Sequence, residues 1–98
     1  MTKSVVITSE AKDDTRQGEA FFNSRRDRLG SEFVDEVLVT LDRIKLTPKG
    51  FGEVVPGVRA LALHRFSYVV YYRVLPKYVE VLGILHGSRH PELWKARV

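Results

Sequence analysis

Three apolar segments, Val58 to Leu63, Tyr68 to Leu75 and Val79 to Leu85, follow one another with only His64–Ser67 and Pro76–Tyr78 between them. Links this short close antiparallel hairpins, because a parallel return needs about a dozen residues or more. The carboxyl half of the chain is therefore committed to a meander of three strands. Alternation places Arg59, Leu61 and Leu63 on one face of the first strand. In the second, Tyr68, Val70, Tyr72 and Val74 alternate with Val69, Tyr71, Arg73 and Leu75. Large side chains on both faces leave neither one simply wet. In the last strand the same rule groups Glu80, Leu82, Ile84 and His86.

Upstream the period changes from 2 to 3.6. Lys3 to Thr8, with Val5, Val6 and Ile7, reads as a short buried strand, and Ser9 is placed to cap a helix. In that helix Ala11, Thr15, Gly18 and Phe22 share a face that Phe21 broadens. Gly18 costs about 1 kcal/mol relative to Ala in a helix interior, or else it permits close helix approach. A break is expected at Leu29-Gly30, followed by a helix capped by Ser31, with an apolar stripe of Phe33, Val34, Val37, Leu38, Leu41 and Ile44. Pro48 and Gly50 end it, and 47–57 reads as a loop. The resulting order, βααβββ, is an α+β fold: an N-terminal strand, an antiparallel helical hairpin and a three-stranded antiparallel meander. The helices lie on one face of a twisted sheet, and the other face is partly open.

Ninety-eight residues with 44% apolar and 29% charged content suffice for one core, so residues 1–98 are expected to form a single domain. The absence of cysteine excludes a disulfide framework and thiolate sites. Met1 to Ile7 does not read as a signal peptide, and no apolar run reaches membrane-spanning length. The expectation is a cytoplasmic protein with no membrane contact. The net charge of +4 is uneven: 1–47 carries 8 Lys/Arg and 9 Asp/Glu, 48–98 carries 8 and 3. A basic second half favours an acidic partner, nucleic acid or protein.

Chemistry is expected where Leu85-His86-Gly87-Ser88-Arg89-His90-Pro91-Glu92-Leu93-Trp94 leaves the last strand. Arg59, Arg73, His86 and Arg89 converge on the open face if the register allows. Such a cluster would bind phosphate through Arg forks and use His86 as proton carrier. Each residue also has a structural reading. Arg59 and Arg73 are solvated or paired with a carboxylate such as Glu80, His86 is a hydrogen-bonding residue, and Trp94 packs the tail onto the sheet. His86 and His90 have the spacing of helical metal ligands, but Gly87 and Pro91 argue against a helix there, so no metal is expected. Neither a phosphate loop, a nucleophile elbow nor a CxxC is present, and no cofactor is expected.

The strand-helix-helix opening, Phe33 after Leu29-Gly30, Gly57-Val58-Arg59, Arg65-Phe66-Ser67-Tyr68-Val69-Val70-Tyr71-Tyr72-Arg73-Val74 and Leu85-His86-Gly87-Ser88-Arg89-His90-Pro91 together resemble the ParE/RelE superfamily of bacterial type II toxins. The resemblance covers nearly the whole chain, with Ser67 where members commonly carry Pro. It implies a growth-inhibiting toxin neutralised by a cognate acidic antitoxin that folds on binding. RelE-like members cleave mRNA on the ribosome, and ParE-like members inhibit DNA gyrase. The strand that is lysine-rich in the archetypal ribonuclease offers only Arg59 here, Val69 stands where that enzyme has Arg, and its terminal Tyr has no counterpart. The resemblance is thus to ParE rather than RelE, and it implies a gyrase-binding toxin rather than an enzyme. An mRNA endoribonuclease using Arg59, His86 and Arg89, or a decayed non-toxic antitoxin-binding module, are the alternatives. Arg59, Arg73, Arg89 and Trp94 are the candidates for contact with target or antitoxin.

Overall fold

The computed structural model describes residues 3–89 and 91–98; Met1, Thr2 and His90 lie outside the described residues, and with His90 the expectation about a His86/His90 metal pair. Strand β1 (Ser4–Ile7) leads into helices α1 (Ser9–Arg25) and α2 (Leu29–Leu46). Strands β2 (Glu53–Val55), β3 (Val58–Ala62), β4 (Tyr68–Val74) and β5 (Tyr78–His86) follow, then a single turn of helix, α3 (Glu92–Lys95). The sheet order is β1-β5-β4-β3-β2, antiparallel except where β1 runs parallel to β5. The α+β architecture read from the sequence holds, with α1 and α2 on one face of the sheet. The segment expected to be a loop contributes β2, a short edge strand, and the tail adds α3.

The helices start and stop differently from expectation. Thr8, not Ser9, caps α1: its Oγ1 accepts from Ala11 N (3.2 Å) and donates to Val81 O (3.0 Å), tying the helix start to β5. The inter-helix link is 26–28 rather than Leu29-Gly30, and Gly30 is a buried residue of the first turn of α2. Ser31 does not cap. Arg28 takes the cap position in the left-handed region (φ 68°) with no side-chain cap, and Asn23 Oδ1 of α1 accepts the Gly30 N–H at 2.8 Å instead. A Cβ on Gly30 would strike the Glu19 carbonyl oxygen and lie 2.6 Å from Asn23 Cγ. One on Gly18 would lie 2.7 Å from the Phe33 ring. Both glycines therefore set the close approach of α1 and α2, which outweighs their propensity cost.

Phe33, Val37, Leu41 and Ile44 of α2 are buried against Val70, Tyr72, Val79, Val81 and Ile84 of the sheet. Phe22, Phe33, Phe66 and Tyr68 add ring contacts at 4.8–5.7 Å, edge-to-face except for the tilted Phe22–Phe33 pair. Two members of the expected apolar faces, Phe21 and Leu38, remain half exposed. A smaller cluster lies on the opposite face: Val58, Leu82, Leu85 and Trp94, with Val55, Tyr71 and Leu93 beside it.

Those two clusters show that simple alternation fails in β5. Tyr71 pairs with Gly83, but Tyr72 pairs with Val81, so Leu82 is an extra residue without a partner on β4. Such a bulge reverses which face each later residue takes. Val79 and Val81 face the helices before it and Ile84 after it, while Leu82 and Leu85 face away. Leu82 and Ile84, expected on one face, lie on opposite ones. The backbone groups beside the bulge find other partners: Ile84 N donates to Asp14 Oδ2 (3.0 Å), and Arg97 Nη1 donates to Leu82 O (3.1 Å).

Candidate functional site

The expected convergence of Arg59, Arg73, His86 and Arg89 does not form. Directly paired residues of an antiparallel ladder share a face, so Arg59 opposite Tyr72, and His86 opposite Tyr68, lie on the helix-bearing side. Arg73 lies on the other side with Tyr71's face, and its Nε donates to Glu80 Oε1 at 2.6 Å. The bulge puts His86 opposite to where period 2 places it.

Each residue has a definite setting. Arg59 Nη1 donates to Phe51 O (2.6 Å) and Lys49 O (3.3 Å), pinning the segment between α2 and β2. His86 Nδ1 accepts the Ser88 N–H (3.1 Å) and meets Ser88 Oγ at 2.7 Å, so the turn after β5 occupies that nitrogen. Its ring stands edge-on to Tyr68 at 5.5 Å. The Arg89 N–H donates to His86 O at 2.9 Å, which places Arg89 at the same end of the sheet, and its charge partly opposes the upward push that burial gives the Tyr68 phenol. Trp94 is buried and stacks on Tyr71 (4.9 Å, 17°). Burial pushes the Tyr71 phenol up as well, with a hydrogen bond from Trp94 working against it. The tail thus packs on the sheet through Trp94, as read from the sequence.

Two concave surfaces result. On the face away from α1 and α2, a groove of about 500 Å³ runs over Tyr71 and Trp94 between Val54 and Val55 on one side and Arg89 and Lys95 on the other. On the helix side, two adjoining depressions share Ile7, Leu38 and Leu41, with Lys12, Arg16 and Lys45 on the rims. This second surface is an apolar track with mixed charges on its edges, Glu19 and Asp42 beside Lys12, Arg16 and Lys45, suited to a partner with an apolar stripe and charged flanks.

Sequence reasoning missed Asp14, Glu36 and Arg97. Asp14 is buried beneath the β5 bulge and takes both Arg97 nitrogens, at 2.6 and 3.2 Å. That hydrogen bond holds the Arg97 guanidinium above its ordinary value. Glu36 Oε1 accepts the backbone N–H groups of His64 and Arg65, both at 2.8 Å, which anchors the β3–β4 turn to α2. Beside it, Glu32 bonds Arg65 and Arg26, and these hold its carboxyl below the usual carboxylate range. An isolated acid inside an amphipathic helix carries no period-based mark; only the fold reveals its partner. Among the described residues there is no group of His, Cys, Asp and Glu able to hold a metal ion, and no helix is long and apolar enough to cross a membrane.

No protein-family model matches the sequence. The chain is 26% identical over 102 aligned residues to Toxin ParE2 of Mycobacterium tuberculosis, in both the CDC 1551 / Oshkosh and the ATCC 25618 / H37Rv strains; the alignment covers all of this chain and 94% of the toxin. Its fold matches a chain of the chromosomal ParDE TA system from P. aeruginosa with a TM-score of 0.79 and 22% identity, over 87% of this chain and 96% of that one. In sequence along its full length, and in fold over most of it, the chain is ParE-like, in agreement with the resemblance its motifs carry.

Proposed function

We propose that this chain is the toxin of a type II toxin–antitoxin pair, acting in the cytoplasm, and that it arrests growth by binding DNA gyrase. The observation that carries the reading is the end-to-end similarity to Toxin ParE2. The geometry favours binding over bond cleavage. Phosphodiester cleavage needs charge stabilisation and proton transfer at one point, whereas Arg59 stands opposite Tyr72 and His86 opposite Tyr68, four residues apart along β4, and the Arg59 guanidinium is committed to the Phe51 and Lys49 carbonyls. The apolar track over Ile7, Leu38 and Leu41 is where an acidic antitoxin segment would fold. The experiment is a gyrase supercoiling assay with purified toxin. Inhibition or gyrase-dependent DNA cleavage is expected, and neither effect at concentrations that arrest growth would refute the target.

One observation favours a second reading, a ribosome-dependent mRNA endonuclease: Tyr68, His86 and Arg89 share one end of the sheet. It predicts mRNA cleavage in a translating extract, lost in His86→Ala or Arg89→Ala. Intact mRNA in the presence of active toxin removes it. Normal growth on induction without an antitoxin would instead identify a non-toxic binding module.

A further inference from the structure

The positive charge of this chain is gathered at one end of the fold. Lys3 precedes β1 and donates Nζ to Leu75 O at 2.7 Å, at the β4–β5 turn that also carries Lys77. Lys3, Lys49 and the stretch 47–50 line a shallow depression of about 430 Å³ with Val74 in its wall. Arg59 is fixed on the carbonyls of Lys49 and Phe51, and the Arg43 guanidinium lies 5.5 Å from the Phe51 ring centre. Lys45 completes the last turn of α2. Among the described residues none of these six cations has a carboxylate within ion-pair distance.

The nearby carboxylates are few. Asp42 lies on the last turns of α2, and Glu53, opposite Arg59 on β2, accepts the Gly57 N–H at 2.5 Å. Glu36 and Glu80 of the neighbouring elements are committed to the His64–Arg65 backbone and to Arg73. Six Lys/Arg against Asp42 and Glu53 leave +4, the whole net charge of the protein; the other ten Lys/Arg and ten Asp/Glu cancel. Folding collects these six from separate parts of the chain, so the sequence shows only a diffuse basic bias.

We propose that this cationic end binds nucleic acid through its phosphate backbone, without reading sequence. The chemistry matches. Two arginines are held in place by the fold, and three exposed lysines, Lys45, Lys49 and Lys77, surround them as mobile point charges. An acidic protein segment fits this end less well, since it needs regularly spaced apolar anchors, and the α1–α2 track supplies those with mixed charges on its rims. The proposal stands apart from the gyrase reading, and its failure leaves that reading untouched.

The test is fluorescence anisotropy of a labelled 20-base-pair DNA duplex, and of the same sequence as single-stranded RNA, titrated with full-length toxin at a series of salt concentrations. Binding is expected to weaken steeply with salt, with a slope of about −0.9 per duplex phosphate contacted. The combined variant Lys45→Gln, Lys49→Gln, Lys77→Gln alters only exposed side chains, and its thermal unfolding checks that the fold is kept. It is expected to lose about 8-fold in affinity at 0.1 M salt for each contact removed, with a correspondingly shallower slope. Lys12→Gln with Arg16→Gln, on the apolar track, is expected to leave the duplex affinity and its salt slope as in the parent. Absence of binding at 50 mM salt, or binding equal in parent and triple variant, overturns the proposal. A 20-residue poly-glutamate probe that binds more tightly than the duplex also overturns it, in favour of an acidic protein partner.

Discussion

Replacing Arg97 by leucine asks whether the last residues of the chain hold the sheet in its bulged form. Asp14 is 7% exposed and accepts three hydrogen bonds, two from Arg97 and one from Ile84 N. Strand β1 ends opposite Val81, so from Leu82 onward β5 has an edge that β1 does not cover; Arg97 reaches it by donating to Leu82 O. Gly83 leaves room for this, since a Cβ there would lie 2.9 Å from Arg97 Nη1. In Arg97→Leu the carboxylate keeps one donor and loses its counter-charge inside the protein. Breaking a buried pair from one side costs about 3–5 kcal/mol. The Arg97 side chain is 19% exposed, so some water reaches the pair and the lower end, about 3 kcal/mol, is expected. For a chain of this size that lowers Tm by about 12–24 °C.

The companion variants decide between a charge pair and simple packing. Asp14→Ala releases Arg97 toward water but orphans the Ile84 N–H, a cost of about 1–3 kcal/mol. In the double variant only that orphaned amide remains. Its destabilisation is therefore expected to fall short of the sum of the singles by about 3 kcal/mol, the cost of Arg97→Leu alone. Urea unfolding followed by circular dichroism and by fluorescence of Trp94, three residues from Arg97 in the same tail, gives both the global stability and the state of the tail. An Arg97→Leu protein within about 0.5 kcal/mol of the parent, or strict additivity, would refute the argument. A shift of Trp94 emission at unchanged global stability would do so too, since it would make the tail a separate, weakly coupled unit.

Gly30→Ala reverses the usual helix preference: overpacking against the Glu19 carbonyl and Asn23 is expected to destabilise by about 1–3 kcal/mol, and a rise in the urea midpoint would contradict the packing account. Arg28→Gly relieves a left-handed backbone and is expected to stabilise by about 1 kcal/mol, read from the same unfolding curves; an unchanged midpoint would show that no strain resides there. Burial raises the Tyr68, Tyr71 and Tyr72 phenols, so their contribution is complete below the unfolded value of about 10 and is lost as pH rises through the folded values. The phenolate absorbance of these three tyrosines is therefore expected to appear together with alkaline unfolding, not ahead of it. Leu38→Glu, at a position 54% exposed, is expected to leave stability within about 0.5 kcal/mol while weakening antitoxin binding at least tenfold by calorimetry; equal affinity would place the antitoxin elsewhere.

The sequence made the architecture legible because its two periods are long and clean. Phe33, Val37, Leu41 and Ile44 announce a helix face, and the short links between the last three strands leave only a meander. What it could not show were features that depend on one unpaired residue or one long-range partner. Leu82 is as apolar as its neighbours, so nothing in the pattern marks it as the extra residue; yet it decides that Leu85 meets Trp94 and that His86 meets Tyr68. Gly30 looked like a break because a glycine ends helices more often than it opens them, whereas here the neighbouring backbone of α1 leaves no space for a Cβ. The same limit explains the site. Arg59 pairs with Tyr72, the neighbour of Arg73, so these two arginines take opposite faces whether or not β5 is bulged, and the bulge only moves His86 from the face of Arg73 to that of Arg59. The chemistry the fold does concentrate, six cations with no ion pair among the described residues, comes from segments whose proximity only the closed sheet creates. The bulge is in turn satisfied by Asp14 and Arg97, from opposite ends of the chain. The placement of the functional surfaces therefore depends on the same buried pair as the stability of the tail, and an Arg97→Leu protein should lose the ordered Tyr71–Trp94 groove along with its stability.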